Sequence, residues 1–119
     1  MKYALLIYDD ETVWTTLPPE EQAKLRAAEM PRWGALFEEL EKADPDVVGH
    51  ELDGRDTAKI VRVRDGERIV TDGPFAETKE AVGGLFTIEL PDLDEAIRLA
   101  GLIPAAEGEG AIEIRPIVS

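Results

Sequence analysis

The chain has 119 residues, a mass of 13.1 kDa and a formal net charge of −13, from 26 acidic and 13 basic residues. This length and the 44% hydrophobic content predict one folded domain over residues 1–119 rather than a disordered chain. The negative charge repels phosphate backbones and anionic lipids, so we expect neither nucleic acid nor a membrane as partner. The absence of cysteine excludes disulfides, thiolate metal sites and cysteine nucleophiles.

The first predicted element is a strand over residues 3–8 that is apolar on both faces. Such a strand must be covered on both sides. The apolar stretch is too short, and too soon followed by the acidic residues 9–11, to be a signal peptide, and no run of 18 apolar residues occurs. We therefore expect a cytoplasmic protein in which residues 9–11 form a solvated loop.

A long helix is predicted to follow Leu17 and Pro18, with Thr16 as its N-cap and acidic residues in its first turn. Pro31 should kink or break this helix, because proline lacks a backbone N–H and crowds the preceding turn. Beyond Pro31, four apolar side chains have the spacing of a core-facing helical stripe: Trp33, Leu36, Phe37 and Leu40.

Five further strands and one helix complete the predicted elements. The strands are expected over residues 47–52, 59–64, 67–71, 84–90 and 111–117. Asp65 and Gly66 form a strong hairpin signal between two of them. The second helix should begin after an N-cap at Asp92 and end near Gly101, with a loop over residues 105–110.

This order of elements predicts an α+β fold of ferredoxin-like βαββαβ pattern with an extra hairpin strand. Two helices can cover only one face of such a sheet. The doubly apolar first strand then needs cover on its other face, which the sheet of a second copy would supply. We therefore expect a homodimer with the architecture of a dimeric α+β barrel. The alternative is a curled sheet that encloses its own side chains or a ligand.

The most distinctive segment spans residues 71–80. A Gly-Pro pair after Asp72 makes a tight turn that holds the carboxylate at the end of a strand. Phe75 would provide an apolar wall beside it, and Glu77 and Lys79 would add opposite charges. A carboxylate against an aromatic wall can have a raised pKa and serve as an acid or base. The alternative interpretation is an Asx-type turn followed by a core phenylalanine.

The letters VTDGPFAETKE at residues 70–80 resemble the signature of the DGPF-domain proteins, a branch of the YCII-related superfamily. The resemblance runs along nearly the whole chain, from the opening strand to the segment EIRPI at residues 113–117. It implies a ferredoxin-like fold that dimerises through its sheets. It also implies a regulatory or accessory role, because similar proteins are often encoded beside extracytoplasmic-function sigma factors.

Relatives in that superfamily carry a His–Asp pair in a cleft, which implies acid–base catalysis, and some perform dehydrochlorination. This chain departs from the pattern, because its one histidine, His50, lies in the second predicted strand and residues 29–33 contain none. The pKa of histidine would suit proton transfer, but a histidine without a visible partner is also typical of a surface position. Three strand arginines could bind an anion or pair with the many acids: Arg62, Arg64 and Arg115.

Three hypotheses follow from these patterns. The first and favoured one is a dimeric accessory protein that binds a small molecule near the turn, without cofactor or metal. The second is a lyase- or isomerase-like enzyme with Asp72 and His50 as catalytic candidates, and the third is a module that binds a basic protein partner in sigma-factor signalling. The candidate ligand-binding residues are Tyr8, Asp72, Gly73, Pro74, Phe75 and Glu77.

Overall fold

A computed structural model of the chain describes residues 1–10, 16–75 and 80–118. Within these residues lie the helices α1 (Pro19–Ala43) and α2 (Leu93–Ala100). The strands are β1 (Lys2–Asp10), β2 (Val48–Glu51), β3 (Lys59–Arg64), β4 (Glu67–Asp72), β5 (Glu80–Glu89) and β6 (Ala111–Pro116). Short 3₁₀ turns occupy Arg55–Thr57 and Pro104–Ala106. The protein is therefore a mixed α+β structure.

Four strands form one antiparallel sheet in the order β2-β5-β1-β6. The strand with the most apolar sequence, β1, lies inside this sheet, with Leu5 opposite Phe86 on β5 and Ile114 on β6. A register shift between Ile7 and Tyr8 places Tyr8 opposite Val82. The strands β3 and β4 pair only with each other, as a separate two-stranded ribbon.

The core lies between one face of the four-stranded sheet and the two helices. That face presents Tyr3, Leu5 and Ile7 from β1, and all three side chains are buried. The helices and the turns near them supply the rest of the cluster, including Leu36, Leu40, Ala96, Leu99 and Ile103. The predicted stripe on α1 is confirmed for its two leucines, and Trp33 is partly buried against the same cluster. Phe37 is 45% exposed and contacts the core residue Phe86 edge to face.

The opposite face of the sheet, called the open face below, has no described helix against it. It carries Ala4 and Leu6 from β1, and Leu85 and Thr87 from β5, all of them half-buried in the single chain. His50 on β2 lies opposite Leu85 and so belongs to the same face. The expectation that two helices leave one side of the sheet without cover agrees with this arrangement.

Two local turn signals are confirmed. The Asp92 side chain accepts a hydrogen bond from the backbone N–H of Glu95 at 2.9 Å and so caps α2. Asp65 and Gly66 both have positive φ, 51° and 78°, as a tight hairpin turn requires.

The predicted N-cap of α1 was wrong, and so was the alternative that Pro31 breaks the helix. Its N-cap is Pro18, which has no side-chain capping bond, and Thr16 lies two residues before that position. The helix also continues through Pro31 to Ala43. Since Leu36 and Leu40 are buried beyond the proline, their packing holds that part of the helix in place despite the missing backbone donor.

Residues 9 and 10 belong to β1 and pair with residues 81 and 80, so the solvated loop expected there is a strand instead. Strand β5 supplies hydrogen-bond partners for the backbone of residues 9 and 10, and the acidic sequence of these residues did not indicate this pairing. The predicted loop over residues 105–110 contains part of a 3₁₀ turn. Neither described helix is long and apolar enough to cross a membrane.

The core makes a direct prediction about stability. Replacement of Leu40 by alanine should lower the free energy of unfolding by about 2–5 kcal/mol, because it leaves a cavity in the buried cluster. Leu25→Ala, on an exposed stretch of the same helix, should cost much less. Urea unfolding followed by circular dichroism measures both values, and equal losses would show that Leu40 does not lie in the core.

Candidate functional site

Asp72 lies at the end of β4, directly opposite Lys59 at the start of β3. The Lys59 ammonium donates a hydrogen bond to the Asp72 carboxylate at 2.5 Å, and the two groups form an ion pair. The Asp72 side chain is 82% exposed. The register of the ribbon thus brings together two residues 13 positions apart and gives the carboxylate a lysine partner.

Gly73 ties the turn to the base of the ribbon. Its backbone N–H donates to the carbonyl oxygen of Ala58 at 2.9 Å. A Cβ atom at position 73 would lie 2.9 Å from Cβ of Ala58 and 3.2 Å from Cδ1 of Ile60, which is too close for any larger residue. The peptide bond between Gly73 and Pro74 is cis. This close approach determines where the chain turns after β4.

Phe75 follows the turn and is 75% exposed. The guanidinium carbon of Arg62, on the neighbouring strand β3, lies 5.4 Å from the centre of its ring. The ring is therefore stacked with a cation rather than buried, and the core phenylalanine considered from the sequence is wrong. Glu77 and Lys79 lie outside the described residues.

The pKa of Asp72 is lowered, first by the hydrogen bond from Lys59 and then by the positive charge of Lys59. This direction is opposite to the raised pKa that an aromatic wall would cause. Asp72 is consequently ionised at neutral pH, when it can accept hydrogen bonds but has no proton to donate. The geometry suits a residue that positions Lys59 and the turn.

Tyr8 lies on the open face of the sheet at the end of β1. Its hydroxyl donates a hydrogen bond to the Glu113 carboxylate on β6 at 3.2 Å. Burial raises the pKa of Tyr8, and Glu113 raises it further, while Arg115 acts in the opposite direction. Glu113 was not among the site residues predicted from the sequence. The signal available was the alternation of polar and apolar residues along the last strand, which places Glu113 and Arg115 on the open face.

His50 is exposed on the edge strand β2. It belongs to the four-stranded sheet, whereas Asp72 belongs to the ribbon, and no hydrogen bond or ion pair joins them among the described residues. The structure therefore groups Asp72, Gly73 and Phe75 with the base of β3, and Tyr8 with β6. It does not assemble a His–Asp pair, whose catalytic role stays a prediction.

A shallow groove of about 300 Å³ lies elsewhere, between the end of α2, the turn after it and β6. Its lining includes Ile97, Ala100 and Ile112, and it contains no charged or amide side chain. None of the predicted site residues lines it. A groove whose polar groups are all backbone atoms has no polar side chain to orient a ligand, so the exposed Arg62–Phe75 pair is the stronger candidate site.

The ion pair beside the turn yields a prediction about pH. In Lys59→Gln the pKa of Asp72 should rise toward the ordinary value of aspartate, because the bond and the charge that lower it are gone. In the native chain the pair stabilises the fold above the ordinary aspartate pKa, and this contribution is lost as the pH falls through the lowered pKa.

Carbon NMR of the Asp72 carboxyl group over a pH series measures this pKa. Lys42→Gln is the matched control, since Lys42 pairs with Glu39 on α1 instead. An unchanged Asp72 titration in Lys59→Gln would rule out the ion pair.

Comparison with known proteins bears on the whole chain. A model of the YCII-related domain matches residues 1–119. The chain is also 36% identical over 118 residues to an uncharacterized protein of Rhizobium meliloti (strain 1021), an alignment that covers 98% of this chain and 92% of that protein. Both matches extend over the sheet, the helices and the turn at residues 72–75, and the chain belongs to the YCII-related domain family.

Proposed function

We propose that this protein is a dimeric accessory protein that binds a small organic anion at the Arg62–Phe75 pair. The observation that carries the proposal is an exposed arginine stacked on an exposed aromatic ring, in a chain whose net charge is −13. The proposal depends on the charge of Arg62, the position of the Phe75 ring and the cover of the open face of the sheet.

The charge of Arg62 is available for a ligand. Among the described residues no carboxylate lies within 4.0 Å of its guanidinium, whereas Lys59 three positions earlier is paired with Asp72. Arginine presents parallel N–H donors that match a carboxylate or phosphate. A cation without a carboxylate partner among the described residues attracts an anion locally, and the acidic surface of the protein repels anions elsewhere.

The ring of Phe75 gives the site its second property. Because the ring is 75% exposed, it can stack against an aromatic or other planar group while Arg62 binds the negative charge. The hydrogen bond from Gly73 to Ala58 sets the course of the chain into Phe75. We therefore expect the turn residues to position the ring and not to contact the charged group of the ligand.

The proposed architecture is the ferredoxin-like arrangement paired into a dimeric α+β barrel. Support for the first part is the antiparallel order β2-β5-β1-β6 with both helices on one face. Support for the dimer is the open face, where Ala4, Leu6 and Leu85 have no described cover. A second sheet against this face would also shield the Tyr8–Glu113 bond and turn an open surface into a cleft.

Binding fits the site better than acid–base catalysis. A carboxylate with a lowered pKa beside a lysine is a poor proton donor at neutral pH, and His50 has no described contact with it. An accessory role within the family, including one in sigma-factor signalling, requires only that the protein recognises its ligand.

Binding of an organic anion can be tested with benzoate as the probe. Titration of ¹⁵N-labelled protein with benzoate should shift the amide resonances of residues 60–64 and of Asp72, Gly73 and Phe75. Benzamide, which has the same ring without the charge, should shift them much less, because only the carboxylate can pair with Arg62. Arg62→Gln should weaken benzoate binding by about tenfold or more, the equivalent of one charge-assisted pair.

Arg64→Gln is the matched control, since Arg64 lies on the same face of the same strand and donates to the carbonyl of Val63. The proposal is wrong if benzoate and benzamide bind equally well, or if the two arginine variants lose the same affinity.

The dimer is tested separately by light scattering during gel filtration. The wild-type protein should elute with about twice the mass of one chain. Thr87→Arg, which places a charge in the middle of the open face, should shift it to the monomer. Thr57→Arg, on the exposed 3₁₀ turn, is the control and should remain dimeric. A wild-type monomer at high concentration would contradict the proposed architecture.

A further inference from the structure

The β3–β4 ribbon, residues 59–72, stands apart from the rest of the described chain and is called the arm below. Its two strands pair only with each other. The radius of gyration of the chain is 16.4 Å, whereas a compact domain of this length would have about 13.5 Å. The extents of 48 × 44 × 21 Å describe the same departure from a sphere.

One face of the arm carries three valines that no described residue covers, between Arg68 and the Lys59–Asp72 pair. Val61 and Val70 lie opposite each other, Val63 follows on the same side, and the three side chains are 58–59% exposed. An isolated two-stranded hairpin is marginally stable in water, and it becomes stable when an apolar face packs against another element. The arm therefore has the composition of a segment that packs against something outside its own chain.

The charge of the arm differs from that of the rest of the chain. Its basic residues Lys59, Arg62, Arg64 and Arg68 outnumber Asp65, Glu67 and Asp72 by one, which leaves a net charge of −14 on the other 105 residues. Two such bodies repel each other when they meet. An arm with a net charge of +1 is complementary to the body of a second copy and reduces that repulsion.

The length of the arm also suits this partner. Each of its strands has six residues and reaches about 20 Å, whereas a four-stranded sheet is about 14 Å across from edge to edge. The arm is attached near the Tyr8 end of the sheet, where the Leu52 N–H donates to the carbonyl of Gly83 and Val82 lies opposite Tyr8. From that end it can reach across the sheet of a second copy.

We propose that the arm of each subunit docks through Val61, Val63 and Val70 on the sheet of the other subunit. This inference rests on the proposed dimer and adds that each copy exchanges an arm. Arg62 and Phe75 lie on the opposite side of the ribbon from the valines, so the anion site stays open in the assembly. The partner therefore holds in place the ribbon on which the ligand binds.

The absence of cysteine permits a specific test. The Val63→Cys variant is prepared with natural-abundance ¹⁴N and modified at the cysteine with a benzophenone maleimide. It is mixed with ¹⁵N wild-type protein that carries no benzophenone, and the mixture is irradiated after the subunits have exchanged. Mass spectrometry of the digest should show crosslinks of mixed isotope between the arm and peptides of β1, β5 or β6. Met30→Cys on α1, similarly exposed, is the control and should give none to those strands.

The outcomes separate the arm from the dimer. If the protein is a dimer but every crosslink joins peptides of the same isotope, arm exchange is wrong and the dimer remains supported. The same conclusion follows if the mixed-isotope crosslinks reach only the helices. A monomer by light scattering overturns both.

A second variant checks the energetics. Val61→Asp should raise the dissociation constant of the dimer by about tenfold or more, whereas Leu93→Asp, on an exposed position of α2, should leave it unchanged. Circular dichroism of the concentrated variants verifies that the sheet and helices are intact, and equal dissociation constants for Val61→Asp and wild type would overturn the proposal.

Discussion

The structure depends on a strand that is apolar on both sides and lies inside the sheet. The buried side of β1 holds Leu5 between Phe86 and Ile114, and the helices pack over it. The other side presents Ala4 and Leu6 to a face without described cover. Because burial of apolar area is the main favourable term in folding, one strand both organises the core and creates the need for a second covered face.

Much of the fold could be predicted from the sequence, since its signals are local. The Asp65-Gly66 turn, the Asp92 cap and the pattern of the β1 side chains each depend on a few neighbouring residues. The errors came from long-range packing and pairing. The helix passes Pro31 because leucines beyond it are buried, and β1 includes residues 9 and 10 because β5 pairs with them.

The candidate site divides in the same way. The turn at residues 72–75 was visible as a motif, but the lysine that lowers the pKa of Asp72 depends on the register between β3 and β4. Likewise the bond from Tyr8 to Glu113 joins residues 105 positions apart. Phe75 was expected to be a wall or a core residue, and its stacking on Arg62 follows from a strand pairing that no local pattern specifies.

A two-stranded ribbon whose outer edges pair with no other described strand has a consequence for hydrogen exchange. The arm's inward-facing amides are protected only while the two strands hold together, whereas those in the middle of β1 are bonded to strands on both sides. Deuterium should therefore enter the arm through a local opening that leaves the core intact. The amides of residues 60–71 would report on whatever stabilises the arm, long before the protein as a whole unfolds.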